Sequence, residues 1–460
     1  VPSAGSYSRQ APSVKRWLIV SLFAAGLSAA EIGVGPGKGF IRIEDAIAQA
    51  EPGDTVVIHA RGDGTPYRKT ALRISKPRIA LRGVVDSDGK PPVLDGSGGS
   101  YAGTGNVPRA IIEFAPEAEG GSVSGLHLTS AHNASHNAAG VRIDAANDVT
   151  VAECRIESCD MGVFSNGADA GAAPAMQRLT VRDCTIRRNG DPSQPGMSHN
   201  LYLGGSSAQV VGCLIEESTT GHNLKSRLGQ LLVEACLIRH SAHRELDLVD
   251  APGVTDQAGG FALVLGCLVI KDPACSGNRT VIHWGQDGGA DRLGNLYLVH
   301  CTVITPFAAP VIELSAPGAQ VCLANDLICG PDGAPGARTL VARRGPGLAE
   351  PTSAAGVWLS SNYAPGPPGQ VIVLGQPGAA PPLHAPEAAD WRPASNAGAP
   401  LIDGAIPLAQ LALPISALNS EHSLRQRPPR LLRFSERGAV ERVVVGSGLD
   451  LGACEASPER

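Results

Sequence analysis

Three short segments near the middle of the chain concentrate side chains that can transfer protons or bind anions. They read Asn200-Leu-Tyr-Leu203, Asn223-Leu-Lys-Ser226 and Glu245-Leu-Asp-Leu248. Lys225, Tyr202 and His222 can each give or take a proton, and Arg227 can stabilise negative charge that develops beside them. These four are therefore candidate catalytic residues for a reaction that moves a proton next to an anionic group.

The spacing of the three segments predicts how the chain positions them. Leu201, Leu224 and Leu246 lie 23 and 22 residues apart, and each alternates with polar residues as in a strand with one buried face. A repeat of this length stacks its coils, so equivalent residues of successive coils form ladders. Two ladders are expected to face solvent: Asn200/Asn223/Glu245 and Tyr202/Lys225/Asp247.

The same outward surface is expected to bind a substrate through further polar and aromatic side chains. The candidate binding residues are His199, Asn200, Asn223, Arg142, His283 and Trp284. Simpler interpretations stay open beside this one. Asparagines at a strand end often satisfy turn backbone groups, Lys225 and Asp247 can form an ordinary surface ion pair, and His283-Trp284 can simply pack a coil.

A second periodic feature is a cysteine that recurs once per repeat, two residues before an isoleucine or a valine. These cysteines are Cys154, Cys184, Cys213, Cys236, Cys267 and Cys301. A small residue at one fixed position of each coil indicates a stack of buried thiols that fill space. Metal sites need clustered pairs at short spacing, which this ladder lacks, so we interpret it as structural.

The remaining chain fits a repeat protein with distinct ends. Residues 1–30 have the order of a signal peptide, with Lys15-Arg16, the apolar run 17–25 and small residues at 28–30, and a membrane anchor is the alternative. Residues 43–50 have helical spacing and are predicted to cap the first coil. The repeats are assigned to residues 31–335, and residues 336–460 to a loop-rich β segment that completes or caps the coil.

The composition agrees with a coil of many turns. Aromatic residues make up 4%, charged residues 18%, and the chain has 56 glycines and 36 prolines, so few long amphipathic helices are expected. A net charge of −5 gives no reason to expect nucleic-acid binding. No segment beyond the N-terminal run is apolar enough to cross a bilayer, so no stable membrane span is expected after signal cleavage.

The repeats and both ends of the chain resemble the right-handed parallel β-helix proteins of the pectate-lyase-like superfamily. An N-terminal Pro52-Gly-Asp-Thr-Val56 segment and a C-terminal Asp450-Leu-Gly-Ala-Cys-Glu455 segment carry the likeness, which covers roughly residues 34 to 456. The resemblance implies an all-β solenoid with a short N-terminal capping helix and an irregular C-terminal segment.

Many members of that superfamily cut or remodel acidic polysaccharides, so the resemblance implies a lyase that acts by β-elimination beside a uronic-acid carboxylate. Such a reaction needs a base, an acid for the leaving oxygen and positive charge for the carboxylate. Lys225 is the expected base if neighbours such as Arg227 suppress its charge, and Tyr202 is the expected acid. Asn200, Asn223 and Arg227 are expected to hold the carboxylate.

Lys225-Ser226 is similar to the Lys-Ser of the alginate lyase and chondroitinase B type of β-helix lyase. That type carries an arginine on the next coil, where this chain has Asp247, and calcium carboxylates on the preceding coil, where it has Asn200 and Tyr202. Glu245 and Asp247 are expected either to bind Ca²⁺ or to pair with Lys225.

The expected partner is an acidic polysaccharide, met by a monomer in the periplasm or outside the cell. A C5-epimerase of the same substrate class needs nearly the same groups as the lyase. A non-catalytic glycan-binding or cell-envelope β-helix protein is the alternative from another class. A glycoside hydrolase needs two carboxyl groups facing each other across a groove and is the less favoured enzyme. The sequence leaves the identity of the polysaccharide open.

Overall fold

The chain folds into a right-handed parallel β-helix with three parallel sheets, and successive strands along the chain belong to successive sheets. A computed structural model describes residues 29–101, 107–165, 177–317, 319–330 and 338–344, with shorter segments between 353 and 454. Each coil adds one strand to each face, and each strand pairs in parallel with its equivalents on the preceding and following coils. The expected all-β solenoid is confirmed.

Sheet 1 contains the first strand of each coil and carries the candidate site. Its strands are β4 (Leu72–Ile74), β7 (Ala110–Phe114), β10 (Ala139–Ile143), β13 (Met161–Ser165), β16 (Leu201–Val211), β18 (Leu224–Glu234), β20 (Leu246–Val249), β23 (Ile282–Gly285), β26 (Ile312–Leu314) and β30 (Val341–Arg343). The long strands β16 and β18 bend from sheet 1 into sheet 2, because their second halves pair with β14 (Leu179–Arg182) and β21 (Phe261–Leu265).

Sheets 2 and 3 complete the coil. The other strands of sheet 2 are β1 (Glu31–Val34), β2 (Thr55–His59), β5 (Ala80–Val84), β8 (Ser122–Ser124), β11 (Thr150–Ala152), β24 (Asn295–Val299) and β27 (Gln320–Ala324). Sheet 3 contains β3 (Tyr67–Arg68), β6 (Val93–Asp95), β9 (His127–Thr129), β12 (Arg155–Glu157), β15 (Thr185–Arg187), β17 (Leu214–Glu216), β19 (Leu237–Arg239), β22 (Leu268–Ile270), β25 (Thr302–Ile304) and β28 (Leu327–Cys329).

The helix α1 (Ile43–Gln49) lies at the N-terminal end of the stack, where the sequence predicts a cap. Ile43 and Ala46 are buried in the main core cluster, beside the first strands of the coil. Glu44 and Asp45 lie in its first turn, where a helix favours negative charge. The helix thus covers an apolar layer that an open stack would otherwise expose to water.

The interior is built from ladders of the same residue type, as the repeat predicts. Leu201, Leu224 and Leu246 are fully buried and pair with one another in register. The six ladder cysteines are also fully buried. Several backbone N–H groups of the ladder face the next sulfur, for example Cys213 N at 3.4 Å from Cys236 Sγ. The predicted structural role of these thiols therefore agrees with their positions.

The C-terminal part of the chain continues the coil and then covers one of its faces. The continuing strands are β31 (Ser353–Leu359), which pairs with β27 and β28, and β33 (Gln370–Val373), which pairs with β31. Small pairs form between β29 (Arg338–Thr339) and β32 (Tyr363–Ala364), β34 (Leu383–Ala385) and β35 (Asp390–Pro393), and β36 (Gln426–Arg427) and β37 (Val440–Glu441).

Contacts from described residues between 383 and 454 anchor this part to sheet 3. Leu383, Leu401 and Ala453 pack on outward leucines of that sheet. Ala453 N donates to Thr302 Oγ1 at 2.9 Å, so Ala453 lies against β25. The proposed division at residue 335 and the signal peptide stay predictions, the latter almost wholly outside the described residues. Within the described residues, no helix has the length and apolarity that a bilayer crossing requires.

Candidate functional site

One outward-facing position of sheet 1 runs through consecutive coils and collects most of the candidate residues. We call this row the outer column. In register order it contains Arg73, Glu113, Arg142, Phe164, Tyr202, Lys225, Asp247, His283 and Glu313. The expected alignment of Tyr202, Lys225 and Asp247 is confirmed, and Arg142 and His283 lie in the same row.

Asp247 is the centre of this row. Its Oδ1 lies 2.9 Å from both Arg244 Nη1 and His283 Nδ1, and its Oδ2 lies 3.3 Å from both His222 Nε2 and Lys225 Nζ. The side chain is only 2% exposed, and burial alone would raise its pKa. Burial is outweighed by the hydrogen bond from His283 and the favourable electrostatic interactions with His222 and Lys225, which hold the pKa of Asp247 well below its usual range.

Two stacked histidines support this carboxylate. The rings of His199 and His222 lie 5.0 Å apart, His222 N donates to His199 Nδ1 at 3.0 Å, and Arg244 N donates to His222 Nδ1 at 3.1 Å. Burial lowers the pKa of His199 well below its usual value and that of His222 to about 3. His222 is therefore neutral at ordinary pH and positions Asp247 through Nε2, which disfavours the expected catalytic proton transfer by this residue.

Lys225 and Arg227 meet at a carboxylate from a loop that the sequence did not single out. Asp287 Oδ2 lies 2.8 Å from Lys225 Nζ and 2.6 Å from Arg227 Nη2. Asp250 holds this loop by accepting the backbone N–H groups of Asp287, Gly288 and Ala290. Lys225 thus lies between two carboxylates, which is the opposite of the charge-suppressing surroundings that a lysine base needs.

Tyr202 lies on the open side of the same cluster. Arg227 Nε donates to the phenol oxygen at 2.9 Å, which leaves the phenol's own O–H free to turn toward a substrate. The Tyr202 ring stacks on Phe164 at 5.2 Å, and the Arg142 guanidinium lies 4.2 Å from the Phe164 centroid. A stacked row of guanidinium, benzene ring and phenol therefore leads up to Lys225.

The expectation that Asn200, Asn223 and Glu245 face solvent is wrong, because all three are fully buried. They precede the first residues of their strands, so the strict alternation of a strand does not apply to them. Asn200 Nδ2 donates to Glu216 O at 2.8 Å, and Asn223 Nδ2 donates to Arg239 O at 2.8 Å and to Glu245 Oε2 at 2.6 Å. The alternative of a turn ladder is the correct one.

Glu245 is unsuited to the expected Ca²⁺ site for the same reason. It lies inside the coil, 3.7 Å from the buried Lys271 Nζ, and burial raises the pKa of its carboxyl. Asp247 lies on the outside among cations. In the described part of the chain, no group of three or more His, Cys, Asp or Glu side chains has a metal-binding arrangement.

Trp284 also points inward, so it offers no surface for a sugar ring. It is fully buried, and the guanidinium of Arg292 lies 4.0 Å from its ring centroid. Arg292 donates to Val249 O at 2.6 Å, and burial lowers its pKa to about 9. His283, one residue earlier, faces outward, because neighbouring residues of a strand point to opposite sides.

The structure adds side chains that the sequence did not indicate as site residues. Four of them reach the outer face of sheet 1: Phe164, Asp287, Glu313 and Ser315. A fifth, Arg244, links Asp247 to Glu313, and its Nη2 lies 3.2 Å from Glu313 Oε1. These residues lie in or after strands whose alignment depends on the length of each intervening loop. The sequence signal is the repeat of inward leucines every 22 to 23 residues, and that repeat locates strands rather than the polar residues of the neighbouring loops.

A concavity of about 750 Å³ lies on the outer surface of sheet 2, and no residue of the outer column lines it. Its lining includes Asp148, Arg178, Thr180, Gln209 and Phe261, and its ionised members are an exposed ion pair. We place the candidate site on sheet 1, because perturbed and mutually bonded titratable groups converge there.

Comparisons with known proteins give likenesses of fold. No known family profile and no curated protein matches the chain. A crystal structure of pectate lyase Pel9A superposes with a TM-score of 0.43 at 12% identity, over 94% of this chain and 98% of that one. A mutant pectin methylesterase in complex with a hexasaccharide gives 0.33 at 13% identity, over 70% and 92%. The strand pairings themselves establish that this chain is a right-handed parallel β-helix.

Proposed function

We propose that the protein binds an acidic polysaccharide along the outer column and cleaves it by β-elimination beside a uronic-acid carboxylate. One observation carries the proposal. Lys225 and Arg227 hold a single carboxylate oxygen between them, at 2.8 and 2.6 Å, directly beside the phenol of Tyr202. That arrangement brings together a carboxylate-binding fork and a proton-transfer group.

Asp287 occupies the fork in the free protein, and its carboxylate stands in for that of a uronic acid. Its side chain is 42% exposed, so a substrate carboxylate can reach the same cations from solvent. Neutralising a uronate carboxylate stabilises the negative charge that develops when the adjacent C5 proton leaves. Lys225 and Arg227 thus act as charge stabilisers, and Lys225 takes this role instead of that of the base.

Tyr202 is the proton-transfer residue in this mechanism. The phenol first gives its own proton to solvent, and Arg227 Nε, 2.9 Å away, stabilises the resulting phenolate, which then takes the C5 proton. The C4–O bond then breaks, a C4=C5 double bond forms, and the proton passes from the phenol to the departing oxygen. One residue can serve both steps when the proton and the leaving oxygen lie on the same side of the ring.

The neighbouring coils lengthen the binding surface. Phe164 and Arg142 extend it on one side of Tyr202, and Arg244 on the other, so aromatic and cationic groups lie on both sides of the fork. Such a surface suits a chain of sugar rings that carry carboxylates. Export to the periplasm or the medium, through the predicted signal peptide, is part of the same proposal because it brings the protein to such a polymer.

The test is to incubate the mature protein with a panel of polyuronates, with and without a chelator, and to follow the ultraviolet absorbance of unsaturated sugar ends. We expect absorbance to rise with at least one polymer and to be lost in Tyr202→Phe. Tyr297→Phe is the matched control, since Tyr297 lies on sheet 2, and it should retain the activity.

Other outcomes separate the alternatives. Exchange of solvent deuterium into C5 with no gain in absorbance would identify an epimerase. New reducing ends with no gain in absorbance would identify a hydrolase. Binding of polyuronates with neither change would leave a glycan-binding protein and overturn the lyase.

A further inference from the structure

Three side chains on successive coils of sheet 1 are hydrogen-bonded in series, outside the lyase mechanism proposed above. Ser315 Oγ lies 2.6 Å from His283 Nε2, and His283 Nδ1 lies 2.9 Å from Asp247 Oδ1. Asp247 and His283 are register partners on β20 and β23, and Ser315 follows β26 on the next coil. A hydroxyl, an imidazole and a carboxylate thus form one continuous chain.

The direction of the two hydrogen bonds follows from the acceptor at one end. An ionised carboxylate can only accept, so the proton on Nδ1 of His283 points to Asp247. Nε2 then carries the lone pair and accepts the proton of the Ser315 hydroxyl. The cationic surroundings that keep Asp247 ionised therefore fix the tautomer of His283 that can remove a proton from serine.

The surroundings of Ser315 are shaped to present its oxygen. Gln286 N donates to Ser315 Oγ at 2.9 Å, which leaves the hydroxyl proton for His283. A Cβ on Gly285 would lie 2.1 Å from Ser315 Oγ, so only glycine at that position admits the serine oxygen. Ser315 itself is partly exposed, so a ligand can approach it from solvent.

We propose that Ser315, His283 and Asp247 form a second catalytic centre that hydrolyses a short acyl ester, such as an acetyl group on a sugar hydroxyl. Ser315 Oγ attacks the carbonyl carbon, and its proton moves to His283 Nε2. The alcohol leaves with that proton, and an acyl-serine remains. Water then attacks the acyl-serine and gives one proton to His283, which passes it to Ser315 Oγ as the carboxylic acid leaves, so the serine hydroxyl and the neutral histidine are restored.

The neighbouring side chains define the class of ester. Arg244, Glu313 and Arg344 surround the triad, with Arg344 Nε 3.2 Å from Glu313 Oε2. These groups are polar, so they favour a short acyl group over a fatty chain. The exposed guanidinium of Arg344 lies on the coil next to Ser315, where it can stabilise the oxyanion of the tetrahedral intermediate.

The nucleophile Ser315 lies four rungs from Tyr202, beyond the rungs of Lys225, Asp247 and His283. At about 4.8 Å per rung, Tyr202 and Ser315 lie roughly 19 Å apart along the column. A polymer bound along the column can therefore meet both centres at different sugar residues. Ester hydrolysis does not require the elimination chemistry, and the two proposals fail independently.

The test uses the full chain, p-nitrophenyl acetate as substrate and a fluorophosphonate as covalent probe. We expect the probe to label Ser315, as identified by mass spectrometry of the labelled peptide. Ester hydrolysis should fall by at least about a hundredfold in Ser315→Ala and in His283→Ala. Ser206→Ala is the matched control, because Ser206 is a partly exposed serine of sheet 1 with no place in the triad.

Asp247 is a positioning residue in this scheme, and its test separates that role from general stability. Asp247→Asn should lower kcat for the ester with little change in KM and should slow labelling of Ser315 in the folded fraction. Labelling at another serine, or hydrolysis that persists in folded Ser315→Ala, would overturn the proposal. Labelling of Ser315 in the wild-type protein tests the proposal even if a variant fails to fold. Neither the labelling nor the ester assay uses a polyuronate, so both are independent of the lyase assay.

Discussion

Two columns of side chains run through the same coils, and they differ in one respect. The inner column is the ladder of buried cysteines from Cys154 to Cys301, which repeats one residue type and has Asp326 in the next position. The outer column changes type at every rung from Arg73 to Glu313. Both columns repeat once per coil of the same stack, the cysteines in the turns between sheets 2 and 3 and the outer column on sheet 1. The difference therefore reflects what each side of the wall must do, rather than how the strands are paired.

Repetition on the inside suits packing. Burial raises the pKa values of Cys184, Cys213 and Cys236 well above those of ordinary thiols, so these residues stay neutral and unreactive. Variation on the outside places opposite charges on neighbouring rungs, where each group can orient the next. In a solenoid, a column of one residue type thus indicates a core, and a column of many types indicates a site.

Removing Asp247, the centre of the outer column, should lower the stability of the protein more than any other change considered. Asp247→Ala leaves Lys225 and Arg244 without a shared carboxylate in a nearly closed cluster, at a cost of about 3–5 kcal/mol. Urea unfolding followed by circular dichroism would measure it. Glu217→Ala is the matched control, because its ion pair with Arg188 is exposed and should contribute little. Equal midpoints for the two variants would show that the outer cluster is an ordinary surface.

The asparagine ladder tests whether the inner side is purely structural. Asn223→Ala removes donors to Arg239 O and Glu245 Oε2 and should cost about 2–3 kcal/mol. Turnover by the folded fraction should be unchanged, because Asn223 does not reach the outer surface. Stability at the wild-type level together with a large loss of kcat would instead restore Asn223 to the site, as the sequence first suggested.

These cases show what the sequence could predict. The repeat of Leu201, Leu224 and Leu246 determines which residues face inward within strands, so the alignment of Tyr202, Lys225 and Asp247 was accessible from it. It could not place Asn223, because the direction of a side chain just before a strand depends on the turn. Nor could it bring Asp287 or Ser315 to the site, since the loops that carry them have no periodic pattern.

Asp326, at the end of the inner column, should make the free energy of unfolding depend on pH. Burial raises the pKa of Asp326 to about 8, despite hydrogen bonds from Cys301 N and Ala324 N at 2.8 and 2.9 Å. The folded protein therefore keeps a proton there that the unfolded chain loses above about pH 4. Stability should fall as pH rises from about 4 to about 8, by at most about 1.4 kcal/mol per pH unit.

Asp326→Cys continues the ladder and should abolish that slope, so its advantage over the wild type should grow between about pH 5 and about pH 8. The comparison with wild type is essential because His199 and His222 act in the opposite direction. Their pKa values are lowered by burial, so their contribution is complete above about pH 6.5 and is lost as pH falls. A constant difference between the two proteins at all pH values would contradict a buried, protonated Asp326.

The smallest expected effect concerns the carboxylate that occupies the fork of the outer column. Asp287→Asn removes the charge that faces Lys225 and Arg227, so a polyuronate should bind about three- to tenfold more tightly, with a steeper dependence on salt. Calorimetric titration at low and moderate salt measures both quantities, and Asp256→Asn, in an exposed turn, is the control. Weaker binding by Asp287→Asn would mean that this carboxylate positions the two cations for the substrate rather than competing with it. A substitution in the inner column would not change polyuronate binding, because its side chains are buried and no ligand can reach them. This difference in access is what makes the outer column a site.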